Sequence, residues 1–288
     1  MRTETKKHII TLAIFTFISL IAIIAISGYV EIPLPQSNEQ TDGVVNNTNE
    51  DKESIETENI IEDTTDTSED DDVSSDTWTE DSFILQSTAD GGNAYLEKIT
   101  FIGDKNTYTM GRYVYTGIPD PIRQVWSVEE NVSASKIMSV NSFINPSNQE
   151  ATNYLTAVKE FSPPYLIVSF GSYDNDEEMT KDKLISEIGD FIVKVKLTSP
   201  NTQIIIQSIF PVTEDCDIIT PTEVYERNEW LKQLCKVYKL YYLDSYSALC
   251  DENGILLTQF ASADGYLLNE NGYRQVVNYI RNHVHPNY

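Results

Sequence analysis

The stretch Ile99-Thr100-Phe101-Ile102-Gly103-Asp104-Lys105-Asn106-Thr107 decides the fold. An apolar run stops at Gly103-Asp104, and a helix-like segment follows from Thr107. That is the pattern of a strand ending in a tight turn that opens a helix. In α/β proteins such turns lie at the carboxyl edge of a parallel sheet, where ligands and nucleophiles gather. Lys105 stands where a chain built this way would place a nucleophile.

Outward from this turn, strands and helices alternate. Ile122–Trp126 reads as a short second strand. Asn148 or Gln149 through Phe161 carries Ala151, Tyr154, Leu155 and Val158 at helical spacing, and Pro163-Pro164 ends it. Tyr165–Phe170 is a near-continuous apolar run, as expected of a strand covered on both faces. Thr180–Leu197 is amphipathic, Gln203–Phe210 is an isoleucine-rich strand, Pro221 opens a helix to about Tyr238, and Leu240–Leu243 is the last strand. Asn269 caps a final helix from Glu270 to His283. Five strands with right-handed crossovers predict a three-layer, flavodoxin-like α/β domain around a five-stranded parallel sheet.

The N-terminal quarter is of another kind. Arg2, Lys6 and Lys7 precede Ile9–Val30, which carries no charge and at 1.5 Å per residue spans the roughly 30 Å core of a bilayer. An uncleaved signal anchor is expected, with residues 1–8 in the cytoplasm and the remainder extracellular. A cleavable signal peptide ending near Ala25-Ile26-Ser27 is the alternative. Residues 31–82 read as an acidic linker: between Glu31 and Glu80 there are 17 acids and one base, Lys52. Such a segment buries too little apolar surface to offset its ordering entropy. The folded domain is therefore expected at 83–288.

The whole chain has a formal net charge of −25, and residues 81–288 still hold 27 acids against 16 bases. There is no basic stripe to track phosphates, so nucleic acid is not an expected partner. Cys216, Cys235 and Cys250 allow one disulfide plus a free thiol, or none. No Cys/His spacing suggests zinc. Asp174-Asn175-Asp176-Glu177-Glu178 lacks the glycine and distant glutamate of an EF-hand loop, so no metal or other cofactor is expected.

Three blocks carry a resemblance. Phe101–Thr107 is similar to the first block of SGNH/GDSL hydrolases, in which Gly-Asp-Ser supplies the nucleophile. Val168-Ser-Phe-Gly-Ser-Tyr-Asp174 resembles the third block, a buried strand ending Gly-x-Asn. Ala263-Asp-Gly-Tyr-Leu-Leu-Asn-Glu-Asn-Gly-Tyr273 resembles the last, which carries Asp-x-x-His before a C-terminal helix. The resemblance spans about Tyr95 to His283 and implies the SGNH-hydrolase fold and an ester-cleaving ancestry. The residues that would do the chemistry have changed. The serine position is Lys105, the glycine position Asn131, the asparagine position Tyr173 and the histidine position Leu267; Asp104 and Asp264 remain.

Leucine cannot accept a proton, so no general base stands beside the turn. Thr107 and Ser172 are hydroxyls nearby, but the sequence shows no base to activate either. Lys105 is expected to pair with Asp264, whose usual histidine partner is absent, since a partly buried charge without a partner costs several kcal/mol. His283 and His285 are expected to meet the helix C-terminus or solvent. The expectation is a degenerate SGNH-like domain that binds a cell-surface glycan, an acylated ligand or an envelope protein, with Lys105, Tyr173, Asp264 and Tyr266 lining its cleft. The competing expectation is an esterase, for example a carbohydrate O-acetyl esterase, with an atypical site.

Overall fold

The computed structural model describes residues 78–79, 82–128, 132–172 and 179–288. The expected cytoplasmic and membrane-spanning segments, most of the linker, Asn131, Tyr173 and the acidic loop 174–178 lie outside them. Among the described residues no helix is long and apolar enough to cross a membrane.

A five-residue helix, α1 (Gly92–Leu96), leads into the strand of the opening stretch, β1 (Ile99–Gly103), and α2 (Lys105–Met110) leaves the turn beyond it. Then come α3 (Pro121–Gln124), a two-stranded hairpin β2 (Phe143–Ile144) and β3 (Ala151–Thr152), α4 (Tyr154–Phe161) and β4 (Tyr165–Ser169). The chain continues through α5 (Lys181–Thr198), β5 (Gln203–Gln207), α6 (Pro221–Tyr238), β6 (Tyr241–Leu243) and α7 (Glu270–Arg281). The main sheet runs β1-β4-β5-β6, parallel throughout, with Ile102 beside Val168 and Val168 beside Ile206.

Successive residues of each strand face opposite sides, and both sides are buried. Ile102, Leu166, Val168, Ile204 and Ile206 pack beneath α4, α5 and α6, whose Phe191, Ile192 and Leu231 meet them. Phe101, Tyr165, Ile167, Ile205 and Leu243 pack against α1 and α7, through Leu96, Val276 and Ile280. This is the three-layer α/β arrangement that the SGNH/GDSL resemblance implies.

Two expectations are corrected. Ile122–Trp126 is not a strand: Pro121 occupies the first turn of α3, the Asp120 side chain accepts from Arg123 N at 3.2 Å, and Ile122 is exposed. Only Val125 joins the sheet, by a single parallel bridge to Phe101, so the fifth strand is reduced to one rung and four strands remain. The helix foreseen from Asn148 or Gln149 starts at Tyr154, because the Asn153 side chain caps it through Thr156 N at 2.9 Å. Its expected first turn is spent on the hairpin, where Gln149 is left-handed with φ 62°.

The three cysteines are free thiols, Cys216 and Cys235 buried and Cys250 half-buried. Burial pushes the Cys235 thiol well above its ordinary pKa.

At the end of β1, Gly103 is required by close approach. A Cβ there would collide with Thr107 Oγ1 and with the backbone oxygen of Ser169 on the neighbouring strand. The second contact is to backbone and cannot swing away, so Gly103→Ala should cost about 2–3 kcal/mol as an overpacking change. Urea unfolding followed by circular dichroism would read this as a lower midpoint with an unchanged slope.

Candidate functional site

The carboxyl ends of β1, β4 and β5 bring the first and third blocks together, and the loop before α7 closes over them with the last block. Asp104 is the N-cap of α2. Its Oδ1 accepts from Asn106 N at 3.1 Å, satisfying a backbone donor that the helix leaves open. Its backbone N donates to Ser169 O at 3.0 Å, fixing the turn to the end of β4. The carboxylate is 2% exposed.

Asp104 Oδ2 accepts from Ser172 N at 3.2 Å and from Ser172 Oγ at 2.5 Å. Ser172 Oγ lies 2.7 Å from the hydroxyl of Tyr266. Since the Ser172 proton goes to the carboxylate, Tyr266 is the donor in that second bond. Burial, seconded by the charge of Asp104, pushes the Tyr266 hydroxyl well above its ordinary pKa, which keeps it a neutral donor. On the other side of the turn, Tyr273 OH donates to Asn106 Oδ1 at 3.0 Å. Tyr273 of the last block thus holds the first block directly, and Tyr266 reaches it through Ser172.

Gly171, at the turn that presents Ser172, has φ 116°, a value that L side chains rarely adopt. Its carbonyl oxygen accepts from Nη1 of Arg227, a buried residue of α6, at 2.6 Å. The strand end is therefore held by the first block on one side and α6 on the other.

The expected site residues sort as follows. Asp104, Lys105, Asp264, Tyr266 and Leu267 come to the same edge of the sheet. Lys105 is the first residue of α2 and half-exposed. Asp264 Oδ1 accepts from Ser262 Oγ at 2.5 Å, Tyr266 N at 3.0 Å and Leu267 N at 2.9 Å. Burial opposes its ionisation, but these hydrogen bonds and the nearby charge of Lys105 outweigh it and hold the carboxyl below its usual value. The direct Lys105–Asp264 pair expected from the sequence is not among the ion pairs of the described residues; the lysine acts on Asp264 through its field, and the loop's own donors take the carboxylate. Leu267 is half-buried against the core, and its backbone N–H donates to Asp264. Asn131 and Tyr173 lie outside the described residues.

Tyr266 needs a second correction. Expected to line the cleft, it is 1% exposed, because its ring fills the space beneath the loop and its hydroxyl is committed to Ser172. It offers no face to a ligand. Ser172 also departs from expectation: it does have a carboxylate within hydrogen-bonding distance, but it is 3% exposed. Neither contact was legible in the blocks, since that reading placed the functional position one residue later, at Tyr173.

The C-terminal histidines lie elsewhere. His283 Nδ1 is 2.8 Å from Tyr279 O, the helix-end carbonyl foreseen for it. His285 is 2% exposed, not solvated, and sits between the rings of Tyr165 and Tyr241 at the opposite, amino edge of the sheet.

No family model matches the chain, and no curated protein does. Among solved structures it is similar to a carbohydrate esterase family 3 from Talaromyces cellulolyticus, with 12% identity over 63% of this chain and 93% of that one and a TM-score of 0.45. It is also similar to the OSK domain of Drosophila Oskar, with 18% identity over 72% and 96% and a TM-score of 0.43. A third is a GDSL-like lipase from Bacteroides thetaiotaomicron, with 16% identity over 62% and 83% and a TM-score of 0.41. At these identities and scores nothing about activity follows, and the fold stands on the strand order itself.

Two measurements test the arrangement. Removing the Tyr266 hydroxyl (Tyr266→Phe) and the Ser172 hydroxyl (Ser172→Ala) should each cost about 1–2 kcal/mol in denaturant unfolding. The double variant should cost less than their sum by at least about 0.5 kcal/mol, because the two share one hydrogen bond.

Burial lowers the pKa of His285 from 6.5 to about 4. The unfolded chain therefore takes up a proton that the folded chain refuses between those values. The stability involved is complete above pH 6.5 and is lost as the pH falls towards 4, to the extent of roughly 3 kcal/mol. Unfolding free energies at pH 7, 5 and 4 should converge for His285→Gln relative to the parent chain.

Proposed function

We propose that this chain is a membrane-anchored, extracytoplasmic domain of the SGNH/GDSL type that has given up ester hydrolysis and works by binding. The ligands this reading favours are a cell-surface glycan, an acylated group or an envelope protein. One observation carries it: the loop that would present a histidine to the turn presents Leu267, and Asp264 has its Oδ1 occupied by Ser262, Tyr266 and Leu267.

Three features support the loss. Lysine stands in the nucleophile's place at a helix start. Neither described histidine of the domain is at this edge: His285 is buried at the other one, and His283 is bound to the end of α7. Loss of the serine or the histidine alone costs about 10⁶ in turnover in a serine hydrolase.

The second reading, an active esterase, has one observation in its favour. Ser172 Oγ donates to Asp104 Oδ2, which is the geometry of a hydroxyl beside a base. Its burial beneath Tyr266 weighs against it, since a carbonyl carbon would have to reach the oxygen.

The full chain in detergent, assayed on acetyl and short acyl esters, should show no turnover above that of Lys105→Ala. Turnover abolished by Lys105→Ala or by Ser172→Ala would overturn the inactive reading. On a glycan array the same protein should bind, with Tyr173→Ala reducing the signal and Lys105→Ser leaving the esterase assay blank. Restoring Lys105→Ser, Tyr173→Asn and Leu267→His together should recover measurable acetyl-ester cleavage.

A further inference from the structure

The amino edge of the sheet, opposite the candidate site, holds a pocket of about 330 Å³ where β5 and β6 begin. Trp78, Lys196, Gln203, Lys239, Tyr241 and His285 line it, and among the described residues no aspartate or glutamate does. Trp78 is fixed in the wall by a hydrogen bond from its Nε1 to Leu240 O at 2.9 Å. The volume is that of a small organic molecule.

His285 is 2% exposed, and the backbone N–H of Asn287 donates to its Nδ1 at 3.1 Å. Burial brings the ring's pKa to about 4, so it is neutral at pH 7. With Nδ1 accepting, the one ring proton sits on Nε2. That N–H makes no hydrogen bond within the described residues, yet the fully buried side-chain atoms without a partner there are only Thr116 Oγ1 and Tyr242 OH. The opening left to Nε2 is the pocket that the ring lines. A deeply buried histidine thus turns its only donor towards a cavity.

Two ammonium groups stand beside it. Lys196 Nζ, near the end of α5, donates to Tyr238 O at 2.6 Å, which leaves an ammonium two further donors. Lys239 follows α6 in the left-handed conformation, with φ 51°. Burial first, and then the charge of Lys239, hold the Lys196 ammonium below its usual pKa. The ion pairs among the described residues involve Arg123, Lys232, Arg274 and Arg281, and neither of these lysines. Two like charges held in each other's field are relieved by an anion and aggravated by a cation. Trp78 and Tyr241 add ring surface for an apolar body.

We propose that this pocket binds a small organic anion, a carboxylate or phosphate on an aromatic or short aliphatic body. The anionic head takes the donors of His285 Nε2, Lys196 and Lys239, and the body lies beside Trp78 and Tyr241. The site is at the edge opposite Lys105 and Asp264, and it stands whether that cleft binds or cleaves.

Calorimetric titration of the full chain in a nonionic detergent, with benzoate and phenyl phosphate as probes, tests it. Both should bind with dissociation constants of roughly 1 mM or below, and neutral benzamide should not bind. Inorganic phosphate, which has no body to bury, should bind at least about fivefold more weakly than its phenyl ester. Lys239→Asn removes one charge with a residue that accepts left-handed backbone, and it should weaken benzoate binding roughly tenfold. Lys196→Arg, which keeps the charge, and Lys194→Gln, on the exposed face of α5, should leave the affinity within about twofold. In a histidine-labelled chain, benzoate should shift the ring resonances of His285 more than those of His283. Benzamide binding as tightly as benzoate, or benzoate affinity unchanged in Lys239→Asn, would overturn the proposal. So would inorganic phosphate matching its phenyl ester, or the absence of any saturable change at His285 with both probes.

Discussion

The Asp104 carboxylate is the interaction on which the edge of this domain depends. One oxygen caps α2, and the other takes both donors of Ser172 at the end of β4. Through Ser172 it reaches Tyr266, and through the helix it caps it positions Asn106 for Tyr273. A buried carboxylate is tolerable only when its lone pairs are occupied, and here they are occupied by groups from separate parts of the chain. The charge demands the partners, and the partners draw the three blocks together.

In an SGNH-type hydrolase the same edge is kept as a working surface, with a nucleophile and a base facing a shared space. Here the last block turns a tyrosine inward and spends it on internal hydrogen bonding. A phenol that has burial and a neighbouring carboxylate both raising its pKa is a permanent donor, not a titrating one.

How much of this was readable beforehand depended on the range of the interaction. β1, β4 and β5 are apolar runs bounded by glycine, proline or polar turns, and their local pattern placed them correctly. Ile122–Trp126 misled because its apolar and β-branched residues are also those of a short surface helix, once Pro121 and Asp120 set the start. The hairpin before α4 was hidden by apolar residues at helical spacing, and only the Asn153 cap marks the true boundary. At the site, Asp104 and Asp264 were visible from the blocks. The Ser172 contacts were not, because their partners lie 68 and 94 residues away and a hydrogen bond over such separations leaves no periodic trace.

The unpaired cysteines have a consequence of their own. Cys235 lies inside the layer between α6 and the sheet, whereas Cys250 is half-buried in a turn region beyond β6. A thiol reagent reaches the second by small local fluctuations and the first only when a helix leaves its sheet. Cys235 and Cys250 are therefore internal clocks of different depth, and their labelling rates separate breathing of the surface from opening of the core.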